Sequence, residues 1–183
     1  MMGTGSTTQQ LFMIDFGLAR RYRDPVTLQH IPFSENKGVT GTARYSSIHA
    51  LSGHEQSRRD DMEAVGYMFV YLLKGRLPWQ GLPSIPNKEK TDAIRDCKME
   101  TPLTGLCEDI PVEFMQYLER VRALEFDEEP NYASYRAAFR DLMMKENMAY
   151  DYIYDWTDRS SVNMTNTVKN PTLEKIQFTD QAP

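Results

Sequence analysis

The sequence predicts a mainly α domain, and three observations predict it. A nearly unbroken apolar stretch, Ala64 to Leu73, is preceded by Ser57-Arg58-Arg59-Asp60 and followed by Gly75 and Pro78. Two later stretches, after Pro111 and after Pro130, space large apolar side chains three and four residues apart. Against these stands one short run of strand character, Leu11-Phe12-Met13-Ile14.

Taken in order, the Leu11–Ile14 run is expected to be a buried strand ending at Asp15-Phe16-Gly17. From Leu18 to Gly53 no period is sustained, and Pro25, Pro32, Gly38 and Gly41 punctuate the chain. Such a long irregular stretch inside a compact domain is usually functional or mobile. Ser57 to Asp60 resembles a capping box. The helix it opens is apolar on nearly every face, which predicts burial all round. Gly75 and Pro78 should stop it. Lys88 to Lys98 reads as a short polar helix capped by Asn87. Pro111 fits the first position of a helix with Phe114, Leu118 and Val121 on one face. A last helix follows Pro130, with Tyr132, Tyr135, Phe139 and either Leu142 or Met143 facing inward. Aromatics crowd Tyr150 to Trp156 and read as packing. The domain is therefore placed at 1–156, and the polar stretch 157–183 is expected to be a disordered tail.

Composition narrows the function. With 183 residues the chain is long enough for one domain with a core. A net charge of −5 argues against nucleic-acid binding. The charge is uneven, +2 over residues 1–60 and −7 over 61–183, so a specific anion site is expected in the first third. Cys97 and Cys107 form no metal-spaced set with His30, His49 or His54. The longest apolar stretch, Met62 to Leu73, is too short to span a bilayer.

Asp15-Phe16-Gly17 is a metal motif of the protein-kinase type. A carboxylate there offers hard oxygens to Mg²⁺ bridging ATP phosphates, Phe16 would pack beneath, and Gly17 would let the backbone turn. A tripeptide alone is a weak signal, but the rest of the chain adds to it. Gly41-Thr42-Ala43-Arg44-Tyr45-Ser46-Ser47-Ile48-His49, Glu55 through Glu63 and Leu77-Pro78-Trp79-Gln80-Gly81-Leu82 resemble casein kinase I-type serine/threonine kinases. So do Lys98-Met99 with Thr101-Pro102, the Arg122 to Tyr132 segment, and Tyr150 through Trp156.

The resemblance implies a kinase C-terminal lobe and a role for each matching position. Asp15 would be the Mg²⁺ ligand, with Phe16 and Gly17 beside the cofactor. Thr42 would stand near the catalytic base, and Tyr45 and Ser46 would line the substrate channel. Asp61 would support the catalytic loop through its backbone; the residue-level alternative is a carboxylate favouring a helix start. Arg20, Lys37, Arg44 and Lys90 would form basic sites for a phosphate or acidic side chain near the target hydroxyl, as converging guanidinium and ammonium groups can. Arg20 stands where the family more typically has lysine, and His49 where it has asparagine.

No Gly-rich loop, no Val-Ala-Ile-Lys-like strand and no His-Arg-Asp loop occurs in the sequence. The expectation is thus a piece of a kinase that begins just after the catalytic loop and is inactive alone. ATP and Mg²⁺ would belong to the complete enzyme, whose partners would be acidic or phosphate-primed protein substrates in the cytoplasm or nucleus. The alternative is a non-catalytic, pseudokinase-like binding module that keeps the anion site. Residues Ser160 to Pro183 hold few large apolar groups, and Ser160 and Ser161 are candidate phosphorylation sites. Limited proteolysis should trim the chain near Thr157 and leave a stable core; a core that unfolds on trimming would refute a dispensable tail.

Overall fold

The computed structural model describes residues 1–83, 89–152 and 154. The chain divides into a unit at Met1–Ala149 and a second at Tyr150–Pro183. Asn87, Trp156, the expected tail 157–183 and its serines lie outside the described residues. In the second unit the Tyr150 and Tyr152 rings lie 6.5 Å apart.

The first unit is mainly helical. Its helices are α1 (Ile48–Leu51), α2 (Arg58–Lys74), α3 (Lys90–Glu100), α4 (Leu103–Leu106), α5 (Val112–Arg122) and α6 (Tyr132–Lys145). Helix α5 packs along α2, and α6 packs on α5. No described helix is long and apolar enough to cross a membrane.

Helix α2 begins as its sequence requires. The Asp60 carboxylate accepts the Ser57 backbone N–H at 2.8 Å, the acidic half of a capping box. It ends at Gly75, whose φ of 73° closes the last turn and points its N–H at the Tyr71 carbonyl. Helix α3 spans Lys90–Glu100, shifted by two residues from the expected span. Pro111 is the residue before α5 rather than its first. The core between α2, α5 and α6 is ring-rich. Phe69 meets Phe139 at 5.3 Å, and Tyr117 meets Tyr135 at 5.1 Å, both edge to face. Leu118 and Val121 are fully buried, as their spacing predicts.

Three expectations need correction. Leu11–Ile14 is not a buried strand. Residues 1–3 and 10–12 form a small hairpin, with one bridge from Met2 to Leu11, and Leu11 and Met13 are 77% and 80% exposed. A two-stranded ribbon has no second layer to bury its faces. Helix α2 is not buried all round: Asp61, Met68 and Leu72 are exposed and fall with half-buried Val65 on one stripe at helical spacing. The neighbouring helix α5 covers only one side. Tyr132 is exposed too, because it sits in the first turn of α6, while Tyr135 and Leu142 do the packing.

At Gly66 helix α5 approaches α2 too closely for a side chain. A methyl group there would run into the side chains of Leu118 and Tyr117. Gly66→Ala should therefore destabilise the fold by about 1–3 kcal/mol despite alanine's better helix propensity. Urea unfolding should show a lower midpoint with an unchanged slope; equal or greater stability would mean that the helices are not in this contact.

Candidate functional site

The segment Thr42–Ser46 turns on itself, the Thr42 carbonyl accepting the Tyr45 N–H at 3.0 Å. It is then held from beneath by two side chains. Lys98, fully buried on α3, donates from Nζ to the carbonyls of Ala43 (2.9 Å) and Ser46 (2.5 Å). Trp79 donates from Nε1 to the Arg44 carbonyl at 2.7 Å. Three carbonyls of this short segment are thereby satisfied by α3 and the Leu77–Gln80 turn.

The Lys98 ammonium is itself caged. It lies 4.5 Å from the Tyr67 ring and 4.8 Å from the Trp79 ring, which contact each other edge to face at 4.9 Å. Burial pulls its pKa down to about 7, opposed by the Glu63 carboxylate. Tyr67 donates its hydroxyl proton to Glu63 and accepts a hydrogen bond from Arg122 at 2.8 Å. Burial first, then Glu63, holds the phenol well above its ordinary range.

With its carbonyls engaged below, the segment presents side chains on its other side. The Arg44 guanidinium lies 5.5 Å from the Tyr71 ring and 5.8 Å from the Tyr45 ring. Thr42 is exposed, Tyr45 is half-buried against Tyr71, and Lys90 is exposed at the start of α3. Among the described residues Arg44 has no carboxylate partner.

Arg20 and Lys37 form a separate group. Both pair with the buried Glu55 carboxylate, at 2.7 and 2.9 Å, and the Ser34 hydroxyl donates to it at 3.4 Å. The Lys37 hydrogen bond first, with Arg20 adding charge, pulls Glu55 below the usual carboxylate range. The backbone is paired there as well, Glu55 N–H to Ser34 and Lys37 N–H to Gly53. Two of the four expected basic residues are thus ion-paired within the fold.

Asp15 is exposed, and at this turn it is Asp15, with φ of 63°, rather than Gly17 that takes the left-handed conformation. Phe16 does not pack beneath: it is 66% exposed, since no layer lies under this turn. One exposed carboxylate falls short of a Mg²⁺ cage, which takes six oxygens at near-ideal octahedral geometry. No group of three or more His, Cys, Asp or Glu side chains converges among the described residues. Asp61 is exposed, its carboxyl raised by partial desolvation and then by Asp60. The buried acid is Asp60, which accepts the Ser47 hydroxyl at 2.5 Å.

Lys98, Trp79, Glu55 and Asp60 carry the site; the sequence assigns no role to the first three, and to Asp60 only that of capping α2. A signal existed for Lys98: it lies one turn beyond buried Ile94, on the apolar face of α3. His49 and His54, read as loop polar residues, face each other with Nδ1 atoms 3.3 Å apart. A comparison with protein-family models finds no match.

Lys98 makes stability pH-dependent in a defined window. Its folded pKa, about 7, lies below the unfolded value. Between the two the unfolded chain binds the extra proton, so stability rises with pH there. From about pH 7 to about pH 8.5 the gain should be about 1–2 kcal/mol in urea unfolding, and Lys98→Met should lack it. A gain of equal size in both proteins would assign the effect elsewhere.

Proposed function

We propose that this chain carries the C-terminal lobe of a casein kinase I-type serine/threonine protein kinase, with Thr42–Ser46 as its substrate loop. The observation that carries the reading is convergence. Four stretches that resemble that family, around Gly41–His49, Glu55–Glu63, Leu77–Leu82 and Lys98–Pro102, are separate in sequence. They are joined by Ser47 to Asp60, Trp79 to Arg44 and Lys98 to Ala43. A resemblance that maps onto one contiguous assembly is what a shared working part requires.

In this reading Arg44 and Lys90 meet an acidic or phosphorylated residue near the target hydroxyl. Rings rather than carboxylates hold Arg44, so its charge is available. Arg20 and Lys37 could join only by giving up Glu55. In the complete kinase ATP and Mg²⁺ would supply the phosphoryl group and its charge neutralisation, with Asp15 as one ligand. The present chain offers a single exposed carboxylate at that position, which favours the second reading for the chain by itself: a non-catalytic module that binds anionic segments of partner proteins.

Fluorescence anisotropy with a phosphoserine peptide and its unphosphorylated twin tests this. Replacing Arg44 and Lys90 by alanine should weaken binding of the phosphorylated peptide by roughly tenfold and leave the twin unchanged. Equal loss for both would assign the pair a folding role. The same protein should show neither ATP-dependent labelling of acidic peptides nor a MgATP-induced rise in melting temperature. Labelling that disappears in Asp15→Asn would overturn the non-catalytic reading.

A further inference from the structure

A half-open cavity of about 130 Å³ lies between α1, α2 and α5, lined by Ile48, His49, Arg59, Glu63, Val121 and Arg122. That is well above the roughly 10–15 Å³ that admits one water. None of the lining residues belongs to the Thr42–Ser46 loop.

The cavity wall holds a poorly compensated charge. The Arg59 side chain is only 10% exposed, yet it makes a single hydrogen bond, from Nη1 to the Leu124 carbonyl at 3.2 Å. Its Nε is buried with no hydrogen-bond partner, and the nearest carboxylate, Asp60, stands 3.9 Å away. Asp60 is already committed, one oxygen to the Ser47 hydroxyl and the other to the Ser57 N–H. Glu63 is committed too: its Oε1 accepts from Tyr67 and, at 3.3 Å, from Arg122. Apart from that carbonyl the guanidinium has the Phe126 ring at 5.7 Å, which attracts its charge without cancelling it, so a buried cation this short of close anionic partners would gain from a counter-ion.

We propose that this cavity is a small-oxyanion site, in which an ion of sulfate or phosphate size pairs with Arg59 and accepts a hydrogen bond from His49. Tetrahedral oxyanions suit guanidinium donors, which offer several N–H groups in one plane. His49 has Nδ1 engaged with His54, which leaves Nε2 for a second partner. Its pKa is lowered by burial and by Arg59 and His54, against the raising effects of Asp60 and Glu63. Arg122, from α5, lines the same space but is already paired with Glu63 at 3.3 Å, so Arg59 is the cation left for a ligand. An anion here would offset the Arg59 guanidinium and favour protonated His49. By reciprocity, protonation of His49 tightens anion binding.

The test uses the full chain carrying Arg44→Ala and Lys90→Ala, so the surface pair of the proposed function does not contribute and failure here leaves that reading untouched. Sodium sulfate, whose charge is constant over this range, is titrated calorimetrically at fixed ionic strength at about pH 5.5 and about pH 8. One saturable site is expected, roughly fivefold tighter at the lower pH. His49→Asn should abolish the pH dependence while preserving binding at the higher pH. Arg59→Lys should weaken binding roughly tenfold at both. Should that variant fail to fold, the His49 imidazole resonances of the parent protein decide: they should shift saturably with sulfate, while His30 stays still. Absence of saturable binding, a pH dependence that survives in His49→Asn, or His49 resonances indifferent to sulfate would overturn the proposal.

Discussion

The buried ammonium of Lys98 is the constraint on which the site depends. It joins elements from three parts of the chain: the Ala43 and Ser46 carbonyls, Tyr67 from the middle of α2, and Trp79 from the turn after it. Taking a lysine out of water is costly, and the cost is visible in its lowered pKa. Two carbonyls and two ring faces offset that cost only in one arrangement. The requirement that the charge be solvated by protein therefore fixes where the loop lies. A leucine at this position could fill the space but could not orient the carbonyls.

A second layer of order comes from the first turns of α2, where helical geometry gives adjacent acids different fates. Asp60 and Glu63 point into the protein, and Asp61 points out. Asp60 ties α2 to the residue preceding α1 through Ser47, so the same carboxylate that caps α2 also anchors the end of the loop. Glu63 instead stands beneath Tyr67 and thus supports the cage around Lys98. Substitution at Glu63 would consequently be felt at the loop through Tyr67, although Glu63 touches no loop residue. Arg59, the residue just before these acids, has its nearest carboxylate only at 3.9 Å, which leaves its charge incompletely compensated.

The four longer helices were legible because each carries its own evidence, a spacing, a cap or a glycine stop, whereas the one-turn helices α1 and α4 carry too little period to be read. The inward positions Leu118, Val121 and Tyr135 follow from periodicity alone, while the choice between Leu142 and Met143 is settled by the fold, which buries Leu142. The errors share a different origin. Leu11–Ile14 has the composition of a buried strand, but burial needs a covering layer, which composition does not report. The Ala64–Leu73 run is apolar all round, yet exposure is decided by how many neighbours α2 has, and Met68 and Leu72 face none. The polar centres were least legible. Glu55 draws its partners from 18 to 35 residues upstream, and Lys98 its two carbonyl partners from more than 50. Their roles emerge only when the loop is folded back.

That distance also bears on how charge should be counted. The basic excess of the first 60 residues pointed to an anion site, but the count treats every cation alike. Arg20 and Lys37 share a carboxylate, which neutralises as it positions. Arg44 is positioned by Tyr45 and Tyr71, and a ring quadrupole attracts a cation without cancelling its charge. The two modes of restraint have opposite consequences for a ligand. An ion pair must be broken before the cation can bind an external anion, whereas a guanidinium resting on aromatic faces is oriented and still carries its full field. What decides availability is the chemistry of the restraint, and by that criterion Arg44, which has fewer ionic contacts than Arg20 or Lys37, is the better anion receptor.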